Sequence, residues 1–168
     1  MIPMLEPMMS EIREEAVITK RVLDRVPADK LSWRPHPKSM SLGQLALHIA
    51  SVPGSLSKIV PLEEFETNPA NFDPPAPKNI NEIHAAFEQS LSAAEDCLSC
   101  MSEQAARGNW RLTLKGKQVL TKPRVGIVRS IMMNHIYHHR GQLSVYLRLL
   151  DVPVPVIYGR SADENPFG

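Results

Sequence analysis

Proline lacks a backbone donor and crowds the preceding helical turn, so its placement limits what this chain can become more than any other feature. Most of the 15 prolines fall between stretches whose apolar residues recur every three or four positions. They cut the sequence into four helices joined by irregular connectors. The first stretch runs from about Leu5 to Val26 and stops at Pro27, with Glu11, Glu14 and Glu15 on its polar side. Pro35 and Pro37 make ADKLSWRPHPKSM a connector that ends near Ser41, a good N-cap. From Ser41 to about Val60, Leu42, Leu45, Ile49, Val52, Leu56 and Ile59 keep helical spacing through Pro53, which predicts a kink. Residues 61 to 79 hold five prolines, so a long loop is expected there, of the kind that often borders a site. A third helix is expected from Ile80 to about Ala106, carried by Ile80, Phe87, Leu91, Ala94 and Leu98. NWRLTLKGKQVL then alternates weakly around Lys115-Gly116-Lys117, as a short extended ribbon would. The longest helix is expected from Pro123, in its first turn, to Leu150, and Pro153 and Pro155 forbid its continuation.

Four long amphipathic helices, with no convincing sheet and no internal repeat, predict an all-α fold: an antiparallel four-helix bundle with a long crossover loop. The 168 residues fit one domain spanning the chain, able to bury about two thirds of its unfolded surface, so a metal is not needed to hold the fold together. With 19 basic and 18 acidic residues, no overall field favours nucleic acid or an anionic membrane. The apolar runs fall short of a membrane span, and MIPMLEPMMSEIREEA has acids where a signal peptide has bases. Two cysteines are too few for a disulfide framework. The expectation is a cytoplasmic protein that recognises a small molecule locally, with no nucleic-acid or membrane partner.

The segment NHIYHHRGQL, residues 134 to 143, places three of the six histidines within five positions. On a wheel of about 100° per residue with His135 at zero, Val128 and Tyr146 fall near 20°, Ile131 near −40°, and Met132 and Leu150 near 60°. His139 falls near 40°, His138 near −60° at the edge of the apolar face, and Arg140, Ser144 and Arg148 on the far side. His135 and His139 therefore project inward one turn apart, a spacing that lets two imidazoles share one metal ion. One inward histidine is more often a hydrogen-bonded core residue. Two on one buried stripe each need a polar partner, and a shared cation supplies it to both. A third ligand has to come from another helix, where His48 and His84 both border apolar stripes and periodicity does not choose between them. His36 lies between prolines in a connector. His138 is an alternative to His139 through i, i+3 spacing.

WRPHPKSMSLGQLALHIASVPG, residues 33 to 54, and NHIYHHRGQLSVYLRLLDVPVPVIYG, residues 134 to 159, resemble segments of the DinB-like proteins, also called DinB/YfiT-like metal-dependent hydrolases. With helix order and length, the resemblance covers nearly the whole chain. It implies a four-helix bundle whose metal ligands are one histidine of the second helix and an HxxxH pair of the last. Carried over, these are His48, His135 and His139, and His84 has no counterpart. The resemblance also implies a homodimer.

Three neutral imidazoles suit one divalent transition ion, zinc or nickel above all, and leave positions for water or substrate. Two enzymatic expectations follow: metal-dependent hydrolysis, and transfer of a low-molecular-weight thiol such as bacillithiol or mycothiol, which the resemblance includes. A non-catalytic, stress-associated metal-binding module is the third. No residue is singled out as a general base. Gln142 and Tyr146 continue the histidine face as donors that orient a ligand, or as core-boundary residues. Trp33 and Arg34 precede the second helix, where capping or packing outweighs an anion contact. The CxxC of Cys97 and Cys100 lies away from the helix N-terminus that activates such thiols. Lys115 and Lys117 lack interleaved aromatics, and aromatics make up only 5% of the chain, which argues against a stacking platform for bases.

Overall fold

The computed structural model describes residues 4–68 and 74–167. Its long helices are α1 (Glu6–Leu23), α2 (Leu42–Ile59), α3 (Ile80–Cys100) and α6 (Asn134–Leu149); α4 (Glu103–Arg107) and α5 (Arg124–Ile127) are short. The start of α2 follows from sequence. Ser41 accepts from the Gln44 backbone N–H while the Gln44 side chain accepts from the Ser41 N–H, a reciprocal capping box. Asn79 caps α3 by accepting from the Glu82 N–H, while the Glu82 side chain accepts from the Lys78 N–H. The third helix ends earlier than its apolar spacing predicts: Met101 turns extended and Ser102 caps the separate α4. Pro123 stands just before α5 rather than inside its first turn.

Two apolar clusters order the helices. One gathers Met9 and Ile12 from the start of α1, Leu56 from the end of α2, Leu98 from the end of α3, and Val128 and Met132 from the stretch leading into α6. The other gathers Val22 and Leu23, Leu42 and Leu45, Ile83 and Phe87, and Leu143 and Leu147, the opposite ends of the same four helices. Helices α1 and α6 therefore run one way, and α2 and α3 the other. The proline-rich crossover from α2 to α3 makes those two parallel, whereas α1–α2 and α3–α6 are antiparallel pairs.

Helix α2 runs through Pro53, and Pro53 has no N–H to give the helix. The next N–H, of Gly54, donates to Ser90 Oγ on α3 at 2.6 Å. A Cβ on Gly54 would lie 2.9 Å from Ser90 Cα, so glycine here is what lets the two parallel helices touch.

A small three-stranded sheet stands beside the helices, more than the short ribbon that the spacing predicts. The weakly alternating ribbon is an antiparallel hairpin of β2 (Asn109–Leu114) and β3 (Lys117–Pro123). Lys115 and Gly116 turn it, both at positive φ, as a two-residue type I′ turn requires. β1 (Glu64–Glu66), inside the crossover, pairs parallel with β2. Three residues are too few for a visible alternation, and the partner strand is distant in sequence. The buried Arg124 guanidinium donates to the carbonyls of Val60, Leu62, Ala105 and Asn109, tying this corner to the end of α2.

Candidate metal centre

Between α5 and α6 the chain is a π-helix, Val128–Met133, in place of α-helical turns. Such segments carry an extra residue per turn and recur at functional sites. The residues that follow it are His135 and His139. Along this helix the histidines separate Met132 and Met133 of one apolar cluster from Leu143 and Leu147 of the other. On α2, His48 occupies the same level, between Leu45 and Val52. The three imidazoles meet where the two halves of the core join.

His135 Nε2 lies 2.9 Å from His48 Nε2 and 3.0 Å from His139 Nε2. All three candidate donor nitrogens fall within 4.8 Å of one another. His139 Nδ1 stands 2.7 Å from Gln142 Oε1. A carbonyl oxygen only accepts, so His139 carries its proton on Nδ1 and turns a bare Nε2 lone pair toward His135. His135 Nε2 has either one N–H or one lone pair, enough for one well-directed bond and not for two. Hydrogen bonding alone thus leaves the trio incompletely satisfied, whereas a cation at the point of convergence takes a lone pair from each ring. Tetrahedral Zn–N bonds of about 2.0–2.1 Å would place neighbouring nitrogens roughly 3.3 Å apart, a few tenths of an ångström beyond the two separations at His135. The residues fit a divalent ion.

The rings are held neutral. Burial, and then the adjacent His139 and His135, push His48 down to about 4 from its ordinary 6.5. Burial also lowers His135, aided by His139 and His138. Burial lowers His139 against the opposing effect of its bond to Gln142. Neutral imidazole is the form that coordinates.

The structure brings together the histidines that the resemblance picks out and sets the others apart. His84 faces Asp24 at 3.6 Å. His36 Nδ1 accepts from the Lys38 N–H. His138 is exposed and stands edge-on to the His139 ring, with centroids 4.9 Å apart. Gln142 does meet a site histidine, as an acceptor rather than a donor. Tyr146 does not: its hydroxyl donates to Met40 O and its ring packs edge-on against Trp33. Arg34 is exposed. Cys97 and Cys100 lie in the last turn of α3, and burial, with a further push from Cys100, raises the Cys97 thiol away from thiolate.

Arg140 is the clear reversal. Placed on the far side by the wheel, it is 1% exposed and paired at 2.6 Å with Glu15, an acid expected on the polar side of α1. Arg140 also donates to Thr19 Oγ1 and to the Tyr158 hydroxyl. α1 and the segment after α6 cover that side of α6, which a single-helix wheel does not contain.

Beside the histidines opens a cleft of about 410 Å³, with His48 and His135 in its wall and Pro74 and Pro75 of the crossover at its margin. Of the long loop expected over residues 61 to 79, Pro74 and Pro75 border this cleft, and residues 69–73 lie outside the described residues. No helix among the described residues is long and apolar enough to cross a membrane.

The model of the DinB family matches residues 1–165. The uncharacterized protein YrdA of Bacillus subtilis is 26% identical over 157 residues, which cover 89% of this chain and 85% of YrdA. Among solved structures, a DinB-like protein of Bacillus cereus is similar at 26% identity with a TM-score of 0.63, over 86% of this chain and 91% of that one. The DinB-like protein YjoA of Bacillus subtilis is similar in fold, with a TM-score of 0.68 and 15% identity, over 93% of this chain and 100% of that one. Matched along almost its whole length, this helical chain belongs to the DinB family.

Proposed function

We propose that His48, His135 and His139 hold one divalent transition-metal ion, zinc or nickel, and that the chain is a metal-dependent hydrolase acting on a small molecule bound in the adjoining cleft. The observation that carries this reading is the convergence of three neutral imidazole nitrogens at the wall of an open cleft. An ion held by three neutral ligands supplies Lewis acidity and lowers the pKa of a water or thiol that reaches it. The chain's own residues do the rest. His48 and His135 present the site to the cleft, Gln142 keeps the His139 proton on Nδ1, and the two apolar clusters exclude water from behind the rings. The neutral donor set also supports a second reading, thiol transfer, because it leaves the ion's charge uncancelled and so favours an anionic thiolate.

Untagged protein is expected to take up about one ion per chain, as zinc-type three-histidine sites do. Elemental analysis of purified protein measures this, and His48→Ala should lose most of the affinity while His84→Ala keeps it. Full-strength binding by His48→Ala would sink the assignment. With the metal restored, turnover of esters or amides supports hydrolysis, and turnover of electrophiles only with an added thiol supports transfer. Inactivity on both panels would leave a metal-binding module.

A further inference from the structure

Among the described residues, the cleft beside the histidines is walled mainly by apolar side chains. α2 contributes Leu47, Val52 and Leu56, the π segment Ile131, and the crossover Pro74 and Pro75. Among the described residues its polar side chains, apart from the two imidazoles, are Ser51 and Ser55. Ser51 already donates to Leu47 O at 2.7 Å and keeps only its accepting capacity. No Asp, Glu, Lys or Arg lines the cleft among the described residues. Arg129 is paired with Glu11, and Lys78, the one base between residues 61 and 79, lines a different groove with Arg34. A volume of about 410 Å³ suits a small molecule rather than a peptide.

Such walls treat two kinds of ligand very differently. Apolar surface gains about 25 cal/mol per Å² when it leaves water. A carboxylate or ammonium pressed against the same surface loses hydration and finds no opposite charge. A positive ion at the histidines is answered by the ligand's donor atom and does nothing for a charge at its far end.

We propose that the cleft selects reactants whose body, beyond the one atom presented to the histidines, is uncharged and apolar, as in aryl and alkyl esters or thiols, and rejects those with a charged group there. This specificity rests on the metal-site reading given above. The probes are p-toluenethiol and p-mercaptobenzoate, nearly equal in size and different in charge. Each is titrated into the cobalt(II)-loaded protein at about pH 8, where the carboxylate is ionised and free imidazoles are neutral, and followed by the visible cobalt absorption. The toluenethiol is expected to bind at least about tenfold more tightly. Equal or tighter binding of the mercaptobenzoate overturns the proposal. A second arm uses metal-free protein, p-cresol and p-hydroxybenzoate, read by the NMR methyl signals of Leu47 and Ile131. Cresol should move them and the benzoate should not, and equal shifts overturn the proposal. If the histidines do not hold cobalt, the metal reading fails while this arm still decides the character of the cleft. Ser55→Arg, at an exposed position, should strengthen p-hydroxybenzoate binding to metal-free protein by about tenfold. No gain would show that this cleft is not where the probes bind.

Discussion

His138 and His139 are consecutive, so they point about 100° apart around the helix, and the structure gives them different surroundings. His139 is 8% exposed, with Nε2 toward the other two rings; His138 lies at the surface. In a metal-affinity titration, His138→Gln should keep affinity within about tenfold, and His139→Gln, which removes a direct donor, should lose far more. Gln142→Ala frees the His139 proton to move to Nε2 and should cost about 10–100-fold, the range for residues that orient a ligand. Unchanged affinity in both His139→Gln and Gln142→Ala would overturn the tautomer argument. The lowered pKa values also set a pH dependence. With His48 at about 4 when folded and 6.5 ordinarily, the unfolded chain binds more protons between those values. The stability of the metal-free protein from this group is complete above about 6.5 and is lost as pH falls through about 4. Urea midpoints should decline on acidification through that window, less steeply in His48→Gln than in the parent. Equal slopes would count against a neutral buried His48. HxxxH was legible in the sequence because i, i+4 spacing is a local property. The choice of His48 over His84 came from resemblance and then from the fold, because it depends on which helices lie side by side.

Among the elements, α2 and α3 show how one small residue sets a helix pair. Parallel helices joined by a long crossover gain nothing from a tight turn, so their approach depends on the surfaces they present. Gly54 and Ser90 provide contact at backbone distance, with the Ser90 hydroxyl taking the N–H that follows Pro53. Gly54→Ala must push Ser90 Cα away and should destabilise the fold by about 1–3 kcal/mol, the usual cost of overpacking, as measured by urea unfolding. A neutral substitution would mean that the helices separate freely. The four long helices were readable from apolar spacing, and the cap at Ser41 from its residue type. The break at Met101, the three-residue β1 and the π segment at Val128–Met133 were not. β1 depends on a partner strand distant in sequence, and the π segment shifts the helical phase on which a wheel relies.

For the molecule as a whole, the buried Arg140 joins parts that the sequence keeps far apart. It binds Glu15 and Thr19 of α1 and Tyr158 of the C-terminal segment, stacks near the rings of Tyr137 and Tyr158, and leaves only its Nε without a partner among the described residues. Removing one member of such a pair strands the other charge, so Arg140→Ala should cost about 3–5 kcal/mol in urea unfolding. Tyr158→Phe, which deletes hydrogen bonds and not charge, should cost about 0.5–1.5 kcal/mol. Equal losses from the two would show that packing, rather than charge burial, governs this region. The amino-acid sequence by itself determined the number of long helices, the connector between α2 and α3 and the inward HxxxH pair, because proline placement and three-to-four-residue spacing act within a few turns. Tertiary structure alone decided that α2 runs parallel to α3, that His48 joins the other two histidines, that Glu15 and Arg140 face inward, and that an apolar cleft opens at the site. These outcomes depend on which surfaces meet across tens of residues, and a helix read in isolation contains only one of the two surfaces.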